Sequence, residues 1–372
     1  MSVFATRAFN NHEQVVFCSD PITGLRAIIA VHSTVLGPAV GGCRMWNYAA
    51  AHRNAPVDVA ERRTEEDAIF DVLRLSRGMS YKNAMAGLRL GGGKSVIIGD
   101  PKVVKTPELL RKFGAFVDRL GGRYYTAEDV GSKPRDMEII HEATDYVVGL
   151  EHGAYATGDP SPHTAKGVFY GIEAAVRHKL GKDSVKGLTV AIQGVGNVGR
   201  DLADHLRAAG AKLVIADISK ENIERVRAGG PAEVVDPAQI HAVEADVFAP
   251  CALGGILNAK TIPELKAKIV AGAANNQLDD EDADDWRLRR RGILYAPDYV
   301  INGGGIISVE SEVHREKLDE AERARKVRRI ADTLEKIFVE SDRSDMPTGH
   351  IANEMAEKII DDRRREIAAA AQ

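Results

Sequence analysis

Two lysines and three consecutive glycines stand close together in the first third of the chain: Lys82 in Arg-Gly-Met-Ser-Tyr-Lys-Asn, and Lys94 directly after Gly91-Gly92-Gly93. Glycines remove side chains where a ligand or another backbone must come near. Lys94 also opens the apolar run Lys-Ser-Val-Ile-Ile-Gly, which draws its stem inward. A lysine desolvated beside a second cation loses proton affinity, because both effects disfavour the charged form. Bringing its pKa from ~10.4 to ~7–8 takes about 3–4 kcal/mol of differential interaction. One lysine would then act as a general base near neutral pH while the other stays protonated and clamps a carboxylate. Asp129, in Thr-Ala-Glu-Asp-Val-Gly, falls at the expected carboxyl end of a strand, where open α/β sheets place their sites. Near two ammonium groups it would relay protons; the commoner uses of such an Asp are a helix N-cap or a surface salt bridge.

A second glycine pattern, Gly194-Val-Gly196-Asn-Val-Gly199, follows the apolar run Leu188–Gln193 and precedes a helix; the next strand ends at Asp217. That context is what a dinucleotide fingerprint requires. Gly194 permits a tight turn, Gly196 admits a pyrophosphate, and Gly199 lets helix and strand pack closely, while the helix N-terminus offers amides and partial positive charge. Asp217 would accept from the ribose hydroxyls and repel a 2′-phosphate, which favours NAD over NADP. Two more turns, Ala271-Gly-Ala-Ala-Asn275-Asn276-Gln277 and Asn302-Gly303-Gly304-Gly305, would line the nicotinamide side, although each taken alone reads as an ordinary turn.

The elements that must hold these groups follow from periodicity. Leu25–His32, Lys94–Gly99 and Arg123–Ala127 read as strands, and residues 60–76 as a helix with Ala68, Ile69, Val72, Leu73 and Leu75 on one side. Pro107 opens another helix. After a Gly/Pro/Ser-rich loop at 149–162, a helix over 164–179 leads into a regular strand–helix series, which predicts a parallel sheet covered on both faces. The expected organisation is α/β in two domains: 1–148 for substrate and catalysis, 149–344 as a Rossmann domain, and a helix over 345–372 returning to the first. Length alone favours two cores over one: 372 residues exceed one ordinary core. A net charge of −4 argues against nucleic acid, and no apolar run reaches bilayer length. The N-terminus lacks a signal-peptide core. Three scattered cysteines (Cys18, Cys43 and Cys251) fit a reducing compartment, and the histidines show no metal-ligand spacing. A cytoplasmic, metal-free protein is expected.

The ordered set Leu36-Gly-Pro-Ala-Val-Gly-Gly, Arg77-Gly-Met-Ser-Tyr-Lys-Asn-Ala, Gly91-Gly-Gly-Lys, Thr126-Ala-Glu-Asp-Val-Gly, Gly194-Val-Gly-Asn-Val-Gly, Ala249-Pro-Cys-Ala-Leu-Gly-Gly, Ala274-Asn-Asn-Gln and Pro297-Asp-Tyr-Val-Ile-Asn-Gly-Gly-Gly resembles the glutamate/leucine/phenylalanine/valine amino-acid dehydrogenases, nearest leucine dehydrogenase. The resemblance implies an active site in a cleft between two domains. It implies NAD-dependent oxidative deamination of an L-amino acid to its 2-oxo acid and ammonia, in a homo-oligomer. By motif match, Lys82 would hold the substrate carboxylate, Lys94 would activate water, and Asp129 would shuttle protons. Gly41 and Gly42 would line the substrate site. Thr164, Gly194, Gly196, Asn197, Val198, Gly199, Asp217, Ala274, Asn275, Asn276 and Asn302 would bind the coenzyme. The matching side-chain pocket, Val40, Met79, Ala127, Ile306 and Val309, holds no cation for a second carboxylate. Branched-chain substrates are therefore expected before aromatic ones, with a ligand-binding homologue that has lost turnover as the reading from another class. Departures from the family pattern are an apparent insertion over 49–63, His163 before Thr164, and Ser308 in place of a common Asn.

Overall fold

In the computed structural model, which describes residues 2–252, 254–317 and 319–371, the strand Leu25–Ser33 is apolar because it is covered on both sides. The chain forms two compact units, Met1–Asp159 with Val309–Lys317 and Lys358–Gln372, and Pro160–Ser308 with Leu318–Glu357.

The first unit contains β1 (Gln14–Asp20), β2 (Leu25–Ser33), β3 (Ala39–Trp46), α1 (Val57–Met85), β4 (Gly91–Ile98), α2 (Pro107–Asp118), β5 (Tyr124–Glu128) and α3 (Pro134–His141). Its five-stranded sheet runs β1-β2-β4-β3-β5, antiparallel through the first two pairings and parallel through the last two. Alternation splits β2 between two cores. Ala27, Ile29 and Val31 pack with Leu109, Phe113 and Val117 of α2 and Met137 and Ile140 of α3. Ile28 and Ala30 pack with Ala68, Ile69, Val72 and Leu73 of α1 and with Val96 of β4. Leu, Ile and Val side chains buried this way each contribute roughly 1.5–3 kcal/mol.

The helix expected over 60–76 runs to Met85, because its last turns lie on the glycine-rich start of β4. The Asn83 amide donates to the Gly91 carbonyl at 2.6 Å, and a Cβ at Gly92 would meet the Ser80 nitrogen at 2.1 Å. The helix stops where Gly87 turns left-handed (φ +67°) and Leu88 N bonds back to Asn83 O. The three glycines thus belong to the strand, and Lys94 is its fourth residue. Residues 49–63 form most of a short 3₁₀ turn and the opening of α1, joined by the His52–Asp67 contact at 2.7 Å. The first unit runs past residue 148 because Glu312 accepts from Gly149 N at 2.7 Å and from Thr157 N at 3.0 Å.

The second unit follows with α4 (Ser161–Leu180), β6 (Thr189–Gln193), α5 (Asn197–Ala208), β7 (Lys212–Ala216), α6 (Lys220–Ala228), β8 (Glu233–Val234), β9 (Val247–Pro250), β10 (Ile269–Val270), α7 (Ala283–Arg290), β11 (Leu294–Tyr295) and α8 (Asp298–Ile301). Then come α9 (Gly304–His314), whose later turns belong to the first unit, α10 (Glu320–Ser344) and α11 (Thr348–Ala370), which joins the first unit from Lys358. Its six strands are all parallel in the order β11-β10-β9-β6-β7-β8. The order reverses between β6 and β9, the place where doubly wound sheets open a crevice for a dinucleotide. The arginine run at 287–291 is absorbed structurally: Arg289 pairs with Asp342 at 2.9 Å and Asp345 at 3.0 Å.

Candidate active site

In the first unit the candidate residues come from within β3 and β4 and from the turn that follows β5. Lys94 is 7% exposed, and alternation along β4 turns it to the same face as Val96, the face covered by α1. Its Nζ lies 2.5 Å from Asp129 Oδ2. Asp129 follows β5 in a turn fastened to β3: Ser132 Oγ accepts from Asp129 N at 2.9 Å and is 3.0 Å from Cys43 O. Gly131 (φ +85°) passes so near β3 that a Cβ there would meet Met45 O at 2.0 Å.

Gly42 supplies the room for this carboxylate, since a Cβ on it would stand 2.7 Å from Asp129 Cβ. A Cβ on Gly41 would meet the Gly93 carbonyl at 1.7 Å and Met79 Cγ at 3.3 Å. Both glycines are buried, so their immediate use is to let β3, β4, α1 and the β5 turn close on one another. Lys82 is half-buried on the last turn of α1, a position where a cation also complements the helix dipole. Val40 is buried in β3, Met79 and Ala127 are half-buried in α1 and β5, and Ile306 and Val309 lie on α9, the latter buried.

The charges around Asp129 decide its state. Burial opposes ionisation, but the Lys94 ammonium and then the Arg44 guanidinium outweigh it and hold the carboxyl below its ordinary value. Arg44 Nε is 3.4 Å from the same oxygen, and its Nη1 donates to Asp71 Oδ2 of α1 at 2.8 Å. The contacts to Asp129 Oδ2 have ion-pair distances without hydrogen-bond alignment. Between buried opposite charges the distance dominates the Coulomb interaction.

Sequence reasoning missed Arg44, Asp71 and Tyr48. The available signal was polar Asp71 and Arg74 at i, i+3 within the apolar stripe of α1, and Arg44 two places after Gly42, on the same face of its strand.

In the second unit, Gly194 (φ +87°) makes the turn out of β6. A Cβ on Gly199 would come within 2.0 Å of Gly194 O, whereas one on Gly196 would meet nothing within 4 Å. Gly196 is therefore not required by packing in the protein itself and leaves an open approach to the start of α5, where Asn197 and Val198 lie. Asp217 Oδ2 accepts from Val195 N at 2.8 Å and Oδ1 from Ser219 N at 2.7 Å, so the carboxylate braces the glycine turn.

After β10, Ala274 is buried, Asn276 takes φ +51°, and the exposed Asn275 offers Oδ1 to Asn302 Nδ2 at 2.8 Å. Asn302 Oδ1 and Gln193 Oε1 are buried acceptors without a hydrogen-bond partner. Thr164, on the first turn of α4, sits under α9, where Cβ atoms on Gly304 and Gly305 would strike His163 O and Thr164 Oγ1. Open approach at Gly196, the unused acceptors and the Asp217 carboxylate after β7 suit a dinucleotide. His163 meets Arg323 at 3.5 Å, and the Ser308 hydroxyl donates to Gly305 O at 2.7 Å. Leu253, within one of the matching motifs, lies outside the described residues. Among the described residues, no cluster of three or more His, Cys, Asp or Glu side chains is placed to hold a metal. No helix there is long and apolar enough to cross a membrane.

Comparison with known proteins agrees with this division. The Glu/Leu/Phe/Val dehydrogenase dimerisation domain matches residues 12–146, and the Glutamate/Leucine/Phenylalanine/Valine dehydrogenase domain matches 159–220 and 215–356. The leucine dehydrogenase of Geobacillus stearothermophilus is 48% identical over 365 residues, covering 98% of this chain and 95% of that protein. The L-tryptophan dehydrogenase of Nostoc punctiforme is 44% identical over 365 residues, 98% of each. Its crystal structure matches with a TM-score of 0.78 at 43% identity, covering 95% of this chain and 97% of that one. A lysine–carboxylate pair in one unit, a dinucleotide-type glycine turn in the other and similarity along nearly the whole length lead to one assignment: the chain belongs to the Glu/Leu/Phe/Val dehydrogenase family and is an amino acid dehydrogenase.

Proposed function

We propose that the chain catalyses NAD-dependent oxidative deamination of a branched-chain L-amino acid, giving the 2-oxo acid and ammonia. The observation that carries the mechanism is the buried Lys94–Asp129 pair at 2.5 Å. NAD, when bound at the Gly194–Gly199 turn, supplies the acceptor for the hydride leaving the substrate Cα. Lys82 holds the substrate carboxylate through its ammonium. With its proton passed to Asp129 across their short contact, Lys94 takes one from the water that attacks the imino carbon. Such general-base assistance is worth roughly 10²–10⁴-fold.

Val40, Met79, Ala127 and Val309, all of the first unit, are assigned to the side-chain pocket. An aliphatic side chain buried there contributes roughly 1.5–3 kcal/mol, whereas a second carboxylate would be left unpaired and penalised. Leucine dehydrogenases are among the relatives at 47–48% identity, which supports the same order. The likeness to the tryptophan dehydrogenase favours an aromatic substrate as the second reading. Asp217 supports NAD over NADP. Free cysteines (Cys18, Cys43 and Cys251) suit a reducing cytoplasm, and the matched dimerisation domain supports a homo-oligomer. NADH formation measured across L-leucine, L-valine, L-isoleucine, L-phenylalanine, L-tryptophan and L-glutamate tests the proposal. The highest kcat/KM is expected with an aliphatic substrate; preference for the aromatic pair overturns the substrate order, and no NADH from any of them overturns the activity.

A further inference from the structure

We propose that Arg44 is a positioning residue for the deamination: from β3 it holds the Asp129 carboxylate on the Lys94 side, and it is itself held by Asp71 of α1. The inference rests on the functional reading above. Arg44, Asp71 and Asp129 have side chains only 18%, 14% and 16% exposed, so their charges are weakly screened. Asp71 Oδ2 takes hydrogen bonds from Arg44 Nη1 and from Tyr48 OH, both at 2.8 Å, and Arg74 Nη2 stands 3.6 Å from its other oxygen. Arg44 is thereby anchored at its far end. Its Nε, 3.4 Å from Asp129 Oδ2, has no aligned acceptor of its own and is buried.

This geometry lets the guanidinium act on Asp129 by charge without occupying the side of the oxygen that Lys94 approaches. Positive and negative groups alternate along the line Lys94, Asp129, Arg44, Asp71, Arg74, and removal of the middle cation leaves Asp129 with one partner instead of two. The network also reaches Tyr48, the residue immediately before the 49–63 segment that departs from the family pattern.

The other groups facing Asp129 do not substitute for Arg44. Burial pushes the Cys43 thiol up to about 12 and raises the Tyr48 and Tyr124 hydroxyls as well, so all three stay neutral in the working range. Glu128 is raised by burial first and by its acidic neighbours, and it carries the wrong sign. Asp136 is already paired with Lys105 at 2.6 Å.

The test uses the full chain with NAD and the best substrate of the amino-acid panel, comparing wild type with Arg44→Met, Arg44→Lys and Asp71→Asn. For Arg44→Met, kcat is expected to fall roughly 10–100-fold through misplacement of the proton relay, with the amino-acid KM within about twofold. The acid limb of the kcat/KM profile should move to higher pH, because Asp129 loses a cation that favours its charged form. Arg44→Lys should recover part of kcat and of the profile, since a point charge reaches one carboxylate but not both. Asp71→Asn should lower kcat by less than Arg44→Met, because Arg44 loses its anchor but keeps its charge. An unchanged pH profile in Arg44→Met overturns the proposal, as does a raised KM at constant kcat. Should Arg44→Met not fold, wild-type kcat in both Arg44→Lys and Asp71→Asn overturns it equally. Absence of turnover in the wild type defeats the functional reading itself, whereas an active wild type with indifferent Arg44 variants defeats this inference alone.

Discussion

Acid should loosen the packing of α1 on β2 and on the segment before β1 through two buried histidines. His12 Nε2 lies 2.9 Å from Ser76 Oγ and 3.0 Å from Leu73 O, His32 Nδ1 lies 2.8 Å from Ser80 Oγ, and the two rings are 4.8 Å apart. Burial, with Arg77 also near, brings His12 down to about 4. Burial, then His12 and Arg77, brings His32 down to about 3. Both folded values fall below the ordinary 6.5, so the unfolded chain binds more protons once the pH drops under 6.5. Their neutral forms leave stability intact above that point, and it drains away between about 6.5 and the folded values.

At about pH 5 each histidine has ~1.5 pH units of unmatched protonation, or about 2 kcal/mol, and the pair about 4 kcal/mol. That is a large part of a typical net stability of ~5–15 kcal/mol. Ser80, which bonds His32, is also the residue that Gly92 leaves room for, two places before Lys82. Urea unfolding at pH 7.5 and 5.0, at one fixed protein concentration, should show the loss in wild type. The double variant His12→Gln/His32→Gln should show it reduced by most of this amount. Equal losses in both proteins, or uptake of far fewer than about two protons on unfolding near pH 5, would refute the reasoning.

Lys94→Ala should lower kcat at least ~100-fold through loss of the general base, with NAD affinity by fluorescence titration largely kept; near-normal turnover would remove Lys94 from the mechanism. Two neighbouring glycines should respond oppositely. Gly196→Ala should unfold at the wild-type temperature yet bind NAD at least ~10-fold more weakly, because its Cβ meets only the coenzyme's approach. Gly199→Ala should be destabilised by roughly 1–3 kcal/mol, because its Cβ runs into Gly194 O. Weaker NAD binding in neither variant would argue that this turn does not receive the coenzyme.

The reaction class was legible in the sequence because its signals are local. A strand followed by Gly194-x-Gly-x-x-Gly and an acidic residue after the next strand encode a phosphate turn within a few residues, and the apolar periods of β2, α2 and β6 report their own burial. Lys94 and Asp129 were likewise readable from short motifs, one beside glycines and one at a strand end. What the short-range pattern did not carry was who meets whom across the sheet. Asp129 is enclosed by Lys94, Arg44 and the space above Gly42, drawn from β4 and β3, and Arg44 is anchored by Asp71 of α1.

The same limit explains the ends of α1 and β4. The periodicity marked a helix only over 60–76, and it continues through residue 85 because Gly91–Gly93 let that helix lie directly on the strand. Composition and spacing therefore singled out which chemical groups the chain offers for such a reaction. Only the packed sheet decided which of those groups share one low-dielectric neighbourhood, since Coulomb and close-contact energies depend on distances in space and not along the chain.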